Sequence, residues 1–80
     1  MNEWLSAASA RLASSLGEDP AEYDFTDADV ERLLDLARIA AHDSGERVSA
    51  PLLCYLVGLA AGRHPEHDLA TLVEGALERR

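Results

Sequence analysis

Apolar residues recur at helical spacing along most of the chain, and stretches rich in glycine, proline and acidic residues divide them into four segments. The breaks fall at residues 17–24, 43–49 and 62–65. Apolar side chains repeated every three or four residues are typical of amphipathic helices, whereas strands alternate every second residue. Short connections favour antiparallel neighbours. The pattern therefore predicts an all-α fold, a compact four-helix bundle.

Local signals mark where the predicted helices begin and end. Asn2 is a good N-cap, and Gly17 suits the position after a helix because glycine adopts left-handed backbone without steric cost. Thr26, with Asp29 three residues later, resembles a capping box for the second helix. Ser49 is expected to cap the third helix, and the fourth is expected to start near residues 64–66.

The third segment is apolar on every side. Its apolar residues are Leu52, Leu53, Tyr55, Leu56, Val57 and Leu59. A short helix that is apolar all round is normally buried at the centre of a domain. We therefore expect the third helix to be the central one. Trp4 falls on the apolar face of the first helix and is expected to pack in the core.

Length and charge limit the class of protein. Eighty residues suffice for one small core, which predicts a single helical domain over residues 1–80. Fifteen carboxylates oppose seven arginines, for a net charge of -8. This balance argues against binding nucleic acid or an anionic membrane, since both require a basic surface. The sequence shows no signal peptide and no bilayer-length apolar run, so a cytoplasmic protein is expected.

One polar stripe is organised enough to suggest binding. Asp35, Arg38 and His42 share one side of the second helix, and Arg47 follows in a short loop. Two guanidinium groups and an imidazole can hold a phosphate, a carboxylate or a partner protein through charge-assisted hydrogen bonds. The alternative is that neighbouring carboxylates neutralise these cations and leave only weak surface ion pairs.

Other reactive side chains do not form a recognisable catalytic or metal-binding set. His64 and His67 have a chelating spacing, but the sequence specifies no third ligand. Cys54 lies among apolar residues, where a thiol is normally inert. Glycine-rich nucleotide loops and nucleophile-elbow motifs do not occur. We therefore expect no metal, no cofactor and no enzymatic activity.

Several strings resemble a family of small actinobacterial domains, DUF6457. They are NEWL (2–5), LLDLARIAAH (33–42), Arg47, APL (50–52) and LVGLAAGR (56–63). The resemblance covers nearly the whole chain, although the loop reads RVSAPL where the family pattern has a proline soon after the arginine. Members of that family occur alone or fused behind a MobA-like nucleotidyltransferase domain. That domain resembles the enzyme that attaches a guanylate to molybdopterin.

The resemblance implies a non-catalytic accessory or adaptor module in biosynthesis or delivery of the molybdenum cofactor, molybdopterin guanine dinucleotide. Its expected partner is a MobA-like nucleotidyltransferase or a molybdoenzyme, and a homodimer is possible. The alternative is a small structural subunit of a larger oxidoreductase or regulatory assembly with no ligand site. An adaptor predicts a site near Arg38, His42 and Arg47, whereas a structural subunit predicts an exposed apolar patch on the free domain.

Overall fold

A computed structural model of the chain describes residues 2–77, which contain four α-helices, one short 3-10 helix and no strand. The α-helices are α1 (Glu3–Leu16), α2 (Asp27–Ser44), α3 (Ser49–Arg63) and α4 (Leu69–Leu77), and the 3-10 helix is Pro20–Tyr23. The predicted all-α fold class is confirmed. The chain forms two compact units, Met1–Val30 and Glu31–Arg80.

In the first unit, both predicted ends of α1 are confirmed. The side-chain oxygen of Asn2 accepts a hydrogen bond from the backbone N–H of Leu5 at 2.8 Å. Gly17 ends the helix with φ 68°, the left-handed backbone that glycine adopts most readily. Tyr23 and Phe25 then return along α1 and line a groove with Leu5 and its neighbours on the same helix face.

Trp4 corrects one expectation, because 74% of its surface is exposed and it does not pack in the core. The segment that returns along α1 lines the helix face formed by Leu5, Ala8 and Leu12. Trp4 lies in the first turn at the edge of that face. Trp4 is not among the residues that line the groove with Tyr23 and Phe25.

The capping box of α2 is also confirmed. The backbone N–H of Asp29 donates to the hydroxyl of Thr26 at 3.1 Å, and the N–H of Thr26 donates to the carboxylate of Asp29 at 3.2 Å. These reciprocal bonds satisfy two backbone donors near the helix start.

The second unit contains a core to which three helices contribute. Leu36 of α2, Val57 of α3 and Val73 of α4 are buried together. Partly buried apolar side chains pack around them: Leu53, Cys54, Leu69, Leu72 and Leu77. This cluster places one side of α3 against its neighbours and thereby determines which side remains outside.

The starts of α3 and α4 differ from the expected positions. The backbone N–H groups of Ser49 and Ala50 donate to the carbonyls of the preceding turn, at 3.2 and 3.1 Å, so the Ser49 side chain is not the cap. α4 begins later than expected because residues 64–67 form a separate turn. The carboxylate of Asp68 then accepts from the N–H of Thr71 at 2.8 Å and caps the helix.

The expectation that α3 is buried on every side is wrong. Val57 is buried, but Leu52 is 62% exposed, Tyr55 67% and Leu56 56%. The apolar pattern predicted one fully buried helix, because apolarity alone does not distinguish a face that packs from a face that remains exposed. None of the helices within residues 2–77 has the length and hydropathy required to cross a bilayer.

Candidate functional site

An exposed apolar surface runs along α3 and includes Val48, the residue just before the helix. We call it the α3 outer face, and it consists of Val48, Leu52, Tyr55, Leu56 and Leu59. At about 100° of rotation per residue, these side chains fall within an arc of about 100°. Val57, which enters the core, lies about 150° away from the middle of that arc. α3 is therefore an apolar helix with two faces, of which only one is used by the fold of this unit.

Shallow grooves border the outer face and meet at Leu56. One groove, of about 470 Å³, lies at the start of α3 between Asp43 and Leu52. A second, of about 300 Å³, lies between α3 and α4 and has Ala60, Gly75 and Ala76 in its walls. Small side chains leave room for another helix to approach closely. Leu56 lines both grooves, so the apolar surface continues from the outer face towards α4.

The two ends of this surface differ in charge. Asp43 lies beside the groove at the start of α3. Arg63 and His64 line a further groove at the other end, again with Leu56. No acidic or basic residue occurs between Val48 and Gly62. The bordering grooves thus contain the carboxylate of Asp43 at the start of α3 and the guanidinium of Arg63 at its end, while Arg47 lies in the turn before Val48 and Glu66 pairs with His64.

An exposed apolar surface with charged residues at its border has the composition of a protein interaction site. Apolar patches bordered by polar groups are typical of interaction sites on small domains. A helix laid into a groove is a common way to cover such a patch.

The polar stripe of α2 is only partly brought together. Arg38 forms an ion pair with Asp35 at 2.9 Å, with both side chains about two-thirds exposed. These two residues share a surface groove with Glu31 and Leu34. A surface pair of this kind is worth less than about 1 kcal/mol. The pairing at Asp35 agrees with the neutralised alternative for that end of the stripe.

The remaining residues of the predicted site lie beyond that groove. Nδ1 of His42 lies 3.5 Å from Oδ1 of Asp43, and both side chains are largely exposed. Arg47 occupies the turn before α3, where its carbonyl accepts from the N–H of Ala50. The groove that contains Arg38 includes neither His42 nor Arg47. Convergence of Arg38, His42 and Arg47 on one anion stays a prediction.

The other candidate side chains show local pairing. His64 lies 3.2 Å from the carboxylate of Glu66, and His67 lies 3.8 Å from the same carboxylate. Within residues 2–77, no three His, Cys, Asp or Glu side chains are grouped so that they could hold a metal ion. Burial raises the pKa of the Cys54 thiol, because a thiolate is costly in apolar surroundings.

The outer face was not predicted from the sequence, because apolarity alone does not distinguish the two faces of α3. The spacing of its residues does contain a signal for a second face. Val48, Leu52, Tyr55 and Leu59 are separated by four, three and four residues, the pattern of a helix–helix seam. A second apolar seam, at Leu53 and Val57, lies on the opposite side of the same helix.

Fold and surface together define an all-α chain with an exposed apolar surface along α3. The model of DUF6457, a domain of unknown function, matches residues 1–80, the whole chain. The chain belongs to the DUF6457 family. No curated protein and no solved structure matches it.

Proposed function

We propose that this domain is a non-catalytic accessory module of the cytoplasm that acts by binding proteins, with the α3 outer face as its docking surface. The observation that carries the proposal is the exposure of Leu52, Tyr55 and Leu56 on one side of a helix whose other side is in the core. Burying the exposed part of one such side chain, about 60% of its surface, contributes about 1–2 kcal/mol. Several of them on one face supply enough driving force to hold a partner.

We further propose that the module serves biosynthesis or delivery of the molybdenum cofactor, with a MobA-like nucleotidyltransferase or a molybdoenzyme as its partner. The support for this pathway is the resemblance of the strings at 33–42 and 56–63 to the family, together with the fusion to a MobA-like domain that this resemblance implies. In this proposal, the α2 polar stripe, with Asp35, Arg38, His42 and Arg47, is a second contact region for the partner.

The alternative is a structural subunit of a larger oxidoreductase or regulatory assembly. The exposed apolar surface is the feature that the sequence led us to expect of this alternative, because a subunit separated from its assembly leaves its interface uncovered. The two functions differ at the α2 polar stripe, which an adaptor uses for contact and a purely structural subunit does not.

Affinity capture with quantitative mass spectrometry tests the proposal. The tagged chain is expressed in its own host, and wild type is compared with Leu52→Glu on α3 and Leu16→Glu at the end of α1. The two leucines have similar exposure, 62% and 57%, so Leu16→Glu is a matched control for an exposed charge. We expect wild type and Leu16→Glu to enrich a MobA-like nucleotidyltransferase or a molybdoenzyme, and Leu52→Glu to lose it.

A second pair of variants separates adaptor from structural subunit. Arg38→Ala and Arg47→Ala remove exposed cations from the α2 polar stripe, so they should leave the melting temperature nearly unchanged. For an adaptor they reduce partner capture, and for a structural subunit capture stays at the wild-type level. Equal capture by wild type and Leu52→Glu would overturn the docking role of the α3 outer face.

A further inference from the structure

We infer that the occupant of the α3 outer face is a second copy of this chain, bound with the two α3 helices antiparallel across a two-fold axis. This inference rests on the proposed docking role of that face and assigns the face to self-association, so that the captured partner is held by the α2 polar stripes that the dimer displays. The axis passes at the level of residues 53 and 54, the midpoint of the stretch from Val48 to Leu59. Leu52 of one copy then faces Tyr55 of the other, and Val48 faces Leu59.

The spacing of the exposed residues supports a helix paired side by side with another helix. Val48, Leu52, Tyr55 and Leu59 repeat at intervals of four, three and four residues. That is the spacing at which two helices pack along a common seam at a small crossing angle. A two-fold axis brings the same apolar patch of both copies together, so each leucine of the seam meets an apolar side chain.

The charges select the antiparallel orientation. Asp43 marks one end of the surface and Arg63 the other. In an antiparallel pair, Arg63 of each copy comes close to Asp43 of the other, which gives two opposite-charge pairs. A parallel pair would bring Arg63 next to Arg63 and Asp43 next to Asp43. Electrostatic complementarity therefore favours the antiparallel register over the parallel one.

The available area predicts an association of moderate strength. The five side chains of the outer face, each about half exposed or more, offer on the order of 300–400 Å² of apolar surface per copy. A standard interface buries about 800 Å² per partner, so the bordering groove walls and the charged ends must supply the rest. We expect a dimer at micromolar concentrations, which would display two α2 polar stripes on one particle.

Sedimentation velocity of the full chain tests the pairing from low-micromolar to near-millimolar protein. We expect wild type to shift from monomer to dimer. Leu34→Glu, which places a charge on the exposed side of α2 and outside the seam, should dimerise at the same concentrations. Leu52→Glu is expected to raise the dissociation constant by more than about tenfold, because it places a carboxylate in the seam. Far-UV circular dichroism and melting curves show that each variant is folded.

A charge exchange tests the orientation. Arg63→Asp should weaken the dimer about threefold to tenfold, since it places two carboxylates together at each end. The double variant Asp43→Arg with Arg63→Asp should restore wild-type affinity, because the pairs are re-formed with reversed sign. Failure of the double variant to recover overturns the antiparallel register.

The outcomes separate this inference from the proposed function. A chain that is monomeric at every concentration, or a dimer insensitive to Leu52→Glu, overturns the second copy as occupant. Leu52-dependent capture of a nucleotidyltransferase by such a monomer would still support the proposed function. A Leu52-dependent dimer that captures neither expected partner sustains the inference and contradicts the proposed function. If both hold, Leu52→Glu loses the partner because bivalent binding is lost.

Discussion

α2 and α3 are alike on their inner sides, which are apolar, but their outer sides differ in composition. On the inner side, Leu36 of α2 and Val57 of α3 meet in the same core. On the outer side, α2 carries Asp35 and Arg38 around a single exposed leucine, whereas α3 carries an unbroken apolar stripe. The comparison separates two reasons for an apolar residue in a helix. One side holds the fold together, and the other is exposed at a cost in solubility that binding would offset.

The largest difference between the two sides is expected in stability. Leu36→Ala should lower the free energy of unfolding by about 2–5 kcal/mol, because it opens a cavity at a fully buried position. Leu56→Ala should cost about 1 kcal/mol or less, since more than half of Leu56 is already in water. Urea unfolding at low protein concentration measures both. Equal losses would mean that the outer face is as buried as the core.

Thiol reactivity gives a sharper contrast between two adjacent residues. Cys54 packs against the core cluster, and burial raises its pKa, so less reactive thiolate is present at a given pH. Labelling of native protein should be several-fold slower than labelling in denaturant. In the variant Cys54→Ala with Tyr55→Cys, the thiol lies on the outer face and should react nearly as fast as when unfolded. Similar native rates at both positions would refute the two-faced helix.

The smallest expected effect concerns α4, which carries Val73 into the core. The hydrogen bond from Thr71 lowers the pKa of the Asp68 carboxyl. A lowered pKa contributes stability above the ordinary aspartate value, about 3.9, and this contribution is lost as the pH falls through the folded-state pKa. Asp68→Ala should therefore lower the melting temperature at neutral pH.

Asp68→Asn is the matched control, because asparagine keeps a capping oxygen but does not titrate. Its stability at neutral pH should stay close to that of wild type. The acid-induced loss due to Asp68 should be missing from it, which melting curves between pH 3 and pH 7 would show as a smaller drop than in wild type. An identical drop in both proteins would remove Asp68 from the acid response.

Features held by neighbouring residues were predictable from the sequence. The caps at Asn2 and Gly17 and the capping box at Thr26 depend on hydrogen bonds within a few residues, so residue type and spacing suffice. Ser49 shows the limit of such signals. Its expected capping role is absent because the preceding turn already supplies acceptors for the first N–H groups of α3.

The candidate site was less predictable than the helices. The pairing of Asp35 with Arg38 follows from their spacing of three residues on one helix. The outer face of α3 could not be separated from its core face by apolarity, since both faces carry leucine. Which face is buried depends on where α2 and α4 lie, and that is a property of packing between residues far apart in sequence.

The sequence alone therefore determined the helical class, the number of α-helices among residues 2–77, the caps of α1 and the capping box of α2, because these depend on hydrogen bonds between residues a few positions apart. The tertiary structure decided the rest: that Val57 is in the core, that Trp4 and Tyr55 are in solvent, and that Asp43 and Arg63 mark opposite ends of one surface. The physical reason is that apolar burial has no preferred direction along the chain. Every apolar face gains from leaving water, and only the arrangement of the packed helices determines which of them does so.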